Sequence, residues 1–123
     1  MKILVGSLLA VSAFALSTAA DAPSLSGKWK VFTSIAGNDS DMDCTFAQKD
    51  DALTGSCVSP RGTVDIGGKV DGDKVGWSYK SEYNGMPLTV QYTGAKASAT
   101  MLKGTVNVPE YGVGGDFTDN RAE

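Results

Sequence analysis

The sequence predicts an all-β domain: an eight-stranded antiparallel up-and-down meander, closed into a small barrel and pinned by one disulfide. Three observations carry that reading. Apolar and polar residues alternate at period two, turn residues recur at intervals of about 8–12 positions, and no stretch of helical period interrupts them.

The N-terminus stands apart from this pattern. Lys2 precedes an uncharged apolar run over residues 3–16, which ends in Ser17, Thr18, Ala19 and Ala20. Such a run is too short to cross about 30 Å of hydrocarbon as a helix, and it finishes in small residues rather than basic anchors. Residues 1–20 are therefore expected to be a signal peptide, with residues 21–123 forming a single barrel domain exported to a periplasm or secreted. With no cysteine at the cleavage site, no lipid anchor is expected.

Eight strands are expected near 28–35, 42–48, 53–58, 63–70, 75–82, 87–93, 100–108 and 113–121. Connections this short force antiparallel neighbours, because a parallel pair needs a crossover of a dozen or more residues. In a hairpin the numbers of opposed residues share a constant sum, so register follows from the turns. The Lys49-Asp50-Asp51-Ala52 turn sets Phe46 against Gly55 and Cys44 against Cys57. The turn at Asp71 to Lys74 sets Gly68 against Trp77 and Ile66 against Tyr79, and Asn84-Gly85, which suits a type I′ turn, sets Tyr79 against Val90 and Trp77 against Tyr92. The Pro109 to Gly112 turn sets Gly104 against Phe117. Three aromatics thus face glycines, an arrangement that fills space and lets strands bend, so these rings are read as core rather than as a binding row.

Composition narrows the function. The chain carries a formal net charge of −3 and no long block of either sign, which disfavours nucleic acid and anionic membrane surfaces as partners. It contains no histidine and two cysteines, which cannot fill a tetrahedral zinc site and which removes the commonest general base. Asn38, Asp39, Asp41 and Asp43 lack the twelve-residue calcium-loop pattern. No metal and no cofactor are expected, nor any membrane insertion.

Closure is read from Gly27-Lys28-Trp29 on the first strand and Arg121 on the last, both on interior parity. In these residues the chain resembles the calycin barrels (lipocalins, fatty-acid-binding proteins, avidins). In the lipocalin and fatty-acid-binding branches a Gly-x-Trp meets a late arginine packed across the indole. The resemblance implies that Trp29 and Arg121 are structural, a cation–π pair sealing one end. The opening Ala22-Pro23-Ser24-Leu25-Ser26-Gly27-Lys28-Trp29 is similar to the start of the small periplasmic metalloprotease inhibitors, which implies a protein partner engaged through residues 21–25.

Strand direction sorts the loops into two ends. Small and charged turns (Lys49 to Asp51, Asp71 to Lys74, Gly94 to Ser98) share the Trp29/Arg121 end. Gly37 to Asp41, Ser59-Pro60-Arg61-Gly62, Tyr83 to Pro87 and Pro109 to Gly112 share the other, where tyrosine, methionine and arginine gather. Barrel mouths favour ligands, and Tyr and Arg give large contact area at low entropic cost. The candidate ligand-binding residues are Arg61, Tyr79, Tyr83, Tyr92 and Tyr111, for a small, partly apolar molecule. The alternatives are a cofactor-independent isomerase, cyclase or lyase using Tyr79, Tyr83, Tyr111 or Glu110 with Arg61, and the inhibitor-like module.

Cys44 and Cys57 are the only thiols, and register opposes them, so they are expected to be bonded. Closing a loop of this size is worth on the order of 3 kcal/mol in the chain-entropy model. Thiol titration of the denatured, unreduced protein should find no free cysteine; two free thiols would defeat the assignment.

Overall fold

The structure, a computed structural model, describes residues 24–122, so the expected signal peptide lies outside the described residues. Strands β1 (Gly27–Ile35), β2 (Asn38–Lys49), β3 (Ala52–Ser59), β4 (Gly62–Asp71), β5 (Lys74–Tyr83), β6 (Met86–Ser98), β7 (Met101–Val108) and β8 (Val113–Arg121) form a closed barrel in which each pairs with its sequence neighbour. A short 3₁₀ turn, Pro109–Tyr111, joins the last two. Antiparallel β1 and β8 close the ring from Trp29↔Arg121 to Ile35↔Gly115.

Most expected registers hold: Cys44↔Cys57, Phe46↔Gly55, Gly68↔Trp77, Trp77↔Tyr92, Tyr79↔Val90 and Gly104↔Phe117 are all paired. Cys44 and Cys57 are joined in a disulfide with Cα atoms 4.0 Å apart. Three details differ. β2 begins at Asn38 because Ala36 (φ 50) and Gly37 (φ 84) make a two-residue turn that lets pairing start at Ile35↔Asn38. β6 runs on to Ser98, so the segment Gly94 to Ser98 is strand and the turn falls at Ala99 and Thr100; its small residues hid it from a pattern-based reading. Finally, Ile66 does not pair with Tyr79, because the β4–β5 ladder stops at Gly67↔Ser78. Among the described residues, Asn38 to Met42 of β2 have no strand partner on the β3 side, since that ladder ends at Asp43↔Val58.

Interior positions carry the core, and its centre is aromatic. Trp77 stacks on Tyr92 (4.6 Å, 6°) and meets Phe117 (5.1 Å) and Phe46 (5.3 Å) edge-on, while Phe46 reaches Trp29 at 6.2 Å. Offset and edge contacts at these separations are the favourable ring geometries. Glycine makes the approach possible at Gly68, where a Cβ would press on the Gly76 carbonyl oxygen and come within 2.6 Å of the Trp77 Cα.

One end is plugged. The Arg121 guanidinium carbon sits 4.4 Å above the Trp29 ring, and its Nη1 and Nη2 donate to the carbonyls of Ser26 (3.0 Å) and Ser24 (2.9 Å). Beneath, the Trp29 Nε1–H donates to the Leu25 carbonyl (2.9 Å), and Leu25 itself is buried. Gly27 is required twice over: its φ is +131°, and a Cβ there would lie 3.0 Å from Arg121 Nη1. Replacing Arg121 by Ala should lower stability by about 1–2 kcal/mol through lost packing and the lost cation–π contact. Urea midpoints of the two proteins check this, and an unchanged midpoint would mean that the plug is dispensable.

Candidate functional site

The two ends of the barrel differ in how well the core is covered. Ile35, Val64, Tyr79, Leu88 and Val113 are the partly buried apolar residues packed against the core. By strand direction all five lie toward the end opposite Arg121, where β1, β3, β5 and β7 finish and β2, β4, β6 and β8 begin. They cover the end of the core that lies away from Arg121. Its rim is exposed and apolar: Tyr83 (53% exposed), Met86 (58%) and Tyr111 (42%).

The residues singled out from the sequence fall into two groups. Tyr83 and Tyr111 meet edge to face at 6.1 Å, and the Tyr111 hydroxyl donates to the Tyr83 carbonyl (3.5 Å). Tyr79 and Tyr92 lie below, with ring centres 6.2 Å apart. Tyr92 is buried, and its hydroxyl shares a 3.0 Å hydrogen bond with Thr33 Oγ1. Arg61 is exposed in the β3–β4 turn, and its charge acts on the Tyr79 phenol. Burial pushes Tyr79 above its ordinary value, an effect softened by the Tyr92 hydroxyl and by Arg61. Burial raises Tyr92 further, with Tyr79 adding to it. Both phenols therefore stay protonated at neutral pH and act as hydrogen-bond donors rather than bases.

Glu110 is committed elsewhere. The Thr89 backbone N–H and hydroxyl donate to its two carboxylate oxygens, each at 2.9 Å. The bond from the Thr89 amide, then that from the Glu110 backbone amide and the Thr89 hydroxyl, holds the Glu110 carboxyl below the usual range. The 3₁₀ turn is thereby strapped to β6 where the β6–β7 ladder, whose last pair is Gln91↔Asn107, has stopped.

One interior residue escaped the sequence reading. Asp119 is 0% exposed, set between Val31 on β1 and Leu102 on β7, and neither of its carboxylate oxygens has a hydrogen-bond partner among the described residues. The indole Nε1 of Trp77 is likewise buried and unpartnered. Burial pushes the Asp119 carboxyl up to about 8, and its charge is felt at Tyr92. The signal was legible, because Asp119 shares interior parity with Phe117 and Arg121. Thr33, Tyr92 and Asp119 make a polar set inside an otherwise apolar barrel.

Two concavities lie outside that rim. One of about 230 Å³ sits at the plugged end, lined by Leu25, Asp73, Lys96, Ser98, Ala99 and Arg121. The other, an open groove of about 410 Å³, is lined by Gly67, Gly76, Trp77, Ser78, Gln91 and Tyr92 among others. No cluster of three or more His, Cys, Asp or Glu residues suited to a metal ion occurs among the described residues, and no helix among them is long and apolar enough to cross a membrane.

Asp119 sets a pH dependence whose sign follows from its raised value. The unfolded carboxyl ionises near pH 4 while the folded one holds its proton to about pH 8, so the folded state binds the extra proton throughout that interval. The Asp119 contribution to stability should be greatest below pH 4 and fall by up to about 1.4 kcal/mol per pH unit toward pH 8. Urea midpoints at pH 5 and pH 8 should separate for the parent and draw together in Asp119→Asn; equal separations in both proteins would show that Asp119 is not the cause.

No family model matches the chain, and no curated protein matches it. Among solved structures, a redesigned beta barrel superimposes with a TM-score of 0.64 at 20% identity, covering 80% of this chain and 92% of that one. A second redesigned beta barrel, mFAP1 bound to DFHBI, gives 0.60 at 18% identity over 79% and 94%. At these identities the likeness is one of fold: the chain is a small closed β-barrel, of the same architecture as a barrel that binds a small molecule.

Proposed function

We propose that the protein is an exported, calycin-like barrel that binds a small, partly apolar molecule at the end carrying Tyr83 and Tyr111. The observation that carries this is the asymmetry of the core, sealed by Arg121 at one end and left with five half-covered apolar residues under an exposed aromatic rim at the other. Apolar surface of that kind, with a few hydrogen-bonding groups beneath it, is the ordinary make-up of a small-molecule site. Tyr83 and Tyr111 supply the rim, Tyr79 a donor on the wall, Tyr92 the floor, and Arg61 a cation at the lip. The fold shared with mFAP1, whose structure contains DFHBI, supports the same reading. Export rests on the apolar run over residues 3–16 and accords with the disulfide, a bond that persists in oxidising compartments. The calycin assignment rests on Gly27, Trp29 and Arg121 as described.

The catalytic alternative is weaker, since both interior phenols are held protonated and Glu110 is occupied by Thr89. For an inhibitor-like arm, residues 21–23 lie outside the described residues, and Leu25 is tucked into the plug, its amide donating to Gln48 Oε1 (2.9 Å).

A thermal-shift screen of small aromatic compounds, DFHBI among them, should identify a binder. Tyr83→Ala and Tyr111→Ala should then each weaken its binding by about 1 kcal/mol or more with little change in folding, while Asp51→Ala and Asp73→Ala at the plugged end leave it unaltered. Loss of binding in the aspartate variants alone would overturn the placement.

A further inference from the structure

The start of β2 is paired on one side only. Asn38 to Met42 are laddered with Ile35 to Val31 of β1, but on the other side the ladder with β3 reaches no further than Asp43↔Val58. No other hydrogen bond is made by the main chain of these five residues among the described residues. The N–H and C=O groups on that side are therefore open to a further strand, which is the condition for strand addition at a sheet edge.

The side chains along the same stretch carry a charge pattern. Met42 turns inward and is buried, whereas Asp39 and Asp41 are exposed and share the outward parity of Asp43. Asp43, the first residue of β2 with a β3 partner, is held by Lys30 on β1 at 2.7 Å. Asp41 and Asp39 face Phe32 and Ser34 instead, and neither makes an ion pair or a hydrogen bond among the described residues. Beyond Ser34 stands exposed Asp116 of β8, so the row through Asp39 holds two carboxylates and no cation. The carboxylate beside the paired part of β2 is neutralised within the barrel, and the two beside the open part are not.

We propose that this edge is a docking strip for an extended, basic segment of another protein, which adds to β2 as an extra strand and sets two cationic side chains against Asp39 and Asp41. Main-chain hydrogen bonds would supply the attachment and the carboxylates would choose the partner, because opposite charges directly across a strand pair stabilise it and like charges oppose it. Successive side chains of a strand point to opposite faces, so the two cations must stand two residues apart; adjacent cations cannot both meet the outer row. The strip is built from β1 and β2 and uses none of the tyrosines assigned to the small-molecule site, so the two readings stand or fall separately.

The test is an amide chemical-shift titration at low ionic strength with three blocked pentapeptides: Thr-Lys-Val-Lys-Thr, its isomer Thr-Lys-Lys-Val-Thr, and Thr-Glu-Val-Glu-Thr. The first should shift the amides of residues 38–42 and bind about fivefold or more tighter than either of the others. The Asp39→Lys/Asp41→Lys protein should reverse the preference in favour of the glutamate peptide, and methylating the backbone nitrogens of the first peptide should abolish its binding. Should the double variant fail to fold, the three peptides on the unmodified protein decide the matter alone. Equal affinity for the two lysine isomers, shifts centred elsewhere on the barrel, or undiminished binding of the methylated peptide would overturn the proposal. So would protein-concentration-dependent shifts of the same amides without peptide, which would assign the edge to a second copy of the chain.

Discussion

The contact on which the rest depends is Arg121 over Trp29. These residues face each other across the one strand pair that turns an open sheet into a ring, so the same contact closes the circle and corks its end. Its geometry reaches outward into the chain. The guanidinium fans across the carbonyls of Ser24 and Ser26, Gly27 must lack a side chain to let it pass, and the indole nitrogen ties down Leu25. A barrel so firmly sealed at one end can leave apolar surface half-covered at the other.

Much of this was legible in the sequence because hairpins obey arithmetic. A tight turn fixes a constant sum, and one anchored pair such as Cys44 with Cys57 sets every later pair on those strands. The glycine–aromatic pairs were readable for the same reason. What arithmetic cannot show is where pairing stops. The expected Ile66↔Tyr79 pair fails since register rules assume that two strands stay parallel in space. The β4–β5 ladder ends at Gly67↔Ser78, one pair beyond Gly68↔Trp77. The extra length of β6 was hidden by residues too small to announce a strand.

The candidate site was legible by position but not by chemistry. Strand direction put Tyr83 and Tyr111 at one end, where their rings meet, whereas the linkage of Tyr92 to Thr33 crosses the barrel between residues 59 positions apart and leaves no local trace. Asp119 is a different case. Its parity placed it inside, but a carboxyl there contradicts the usual cost of burying a charge, and it is tolerated by keeping its proton. A polar group held at that cost in a core built otherwise of rings and aliphatic chains is the feature that the fold alone does not require.

The bare outer edge of β2, Asn38 to Met42, bears on how copies of the protein behave toward one another. An unpaired strand edge is a template for sheet growth between molecules, and a closed barrel normally removes every such edge. Here the exposed part of that edge carries Asp39 and Asp41 among short polar side chains, with no apolar residue until Met42 turns inward. Two such edges brought together would set carboxylates against carboxylates. The carboxylates at this hairpin tip thus oppose edge-to-edge pairing between neighbouring barrels.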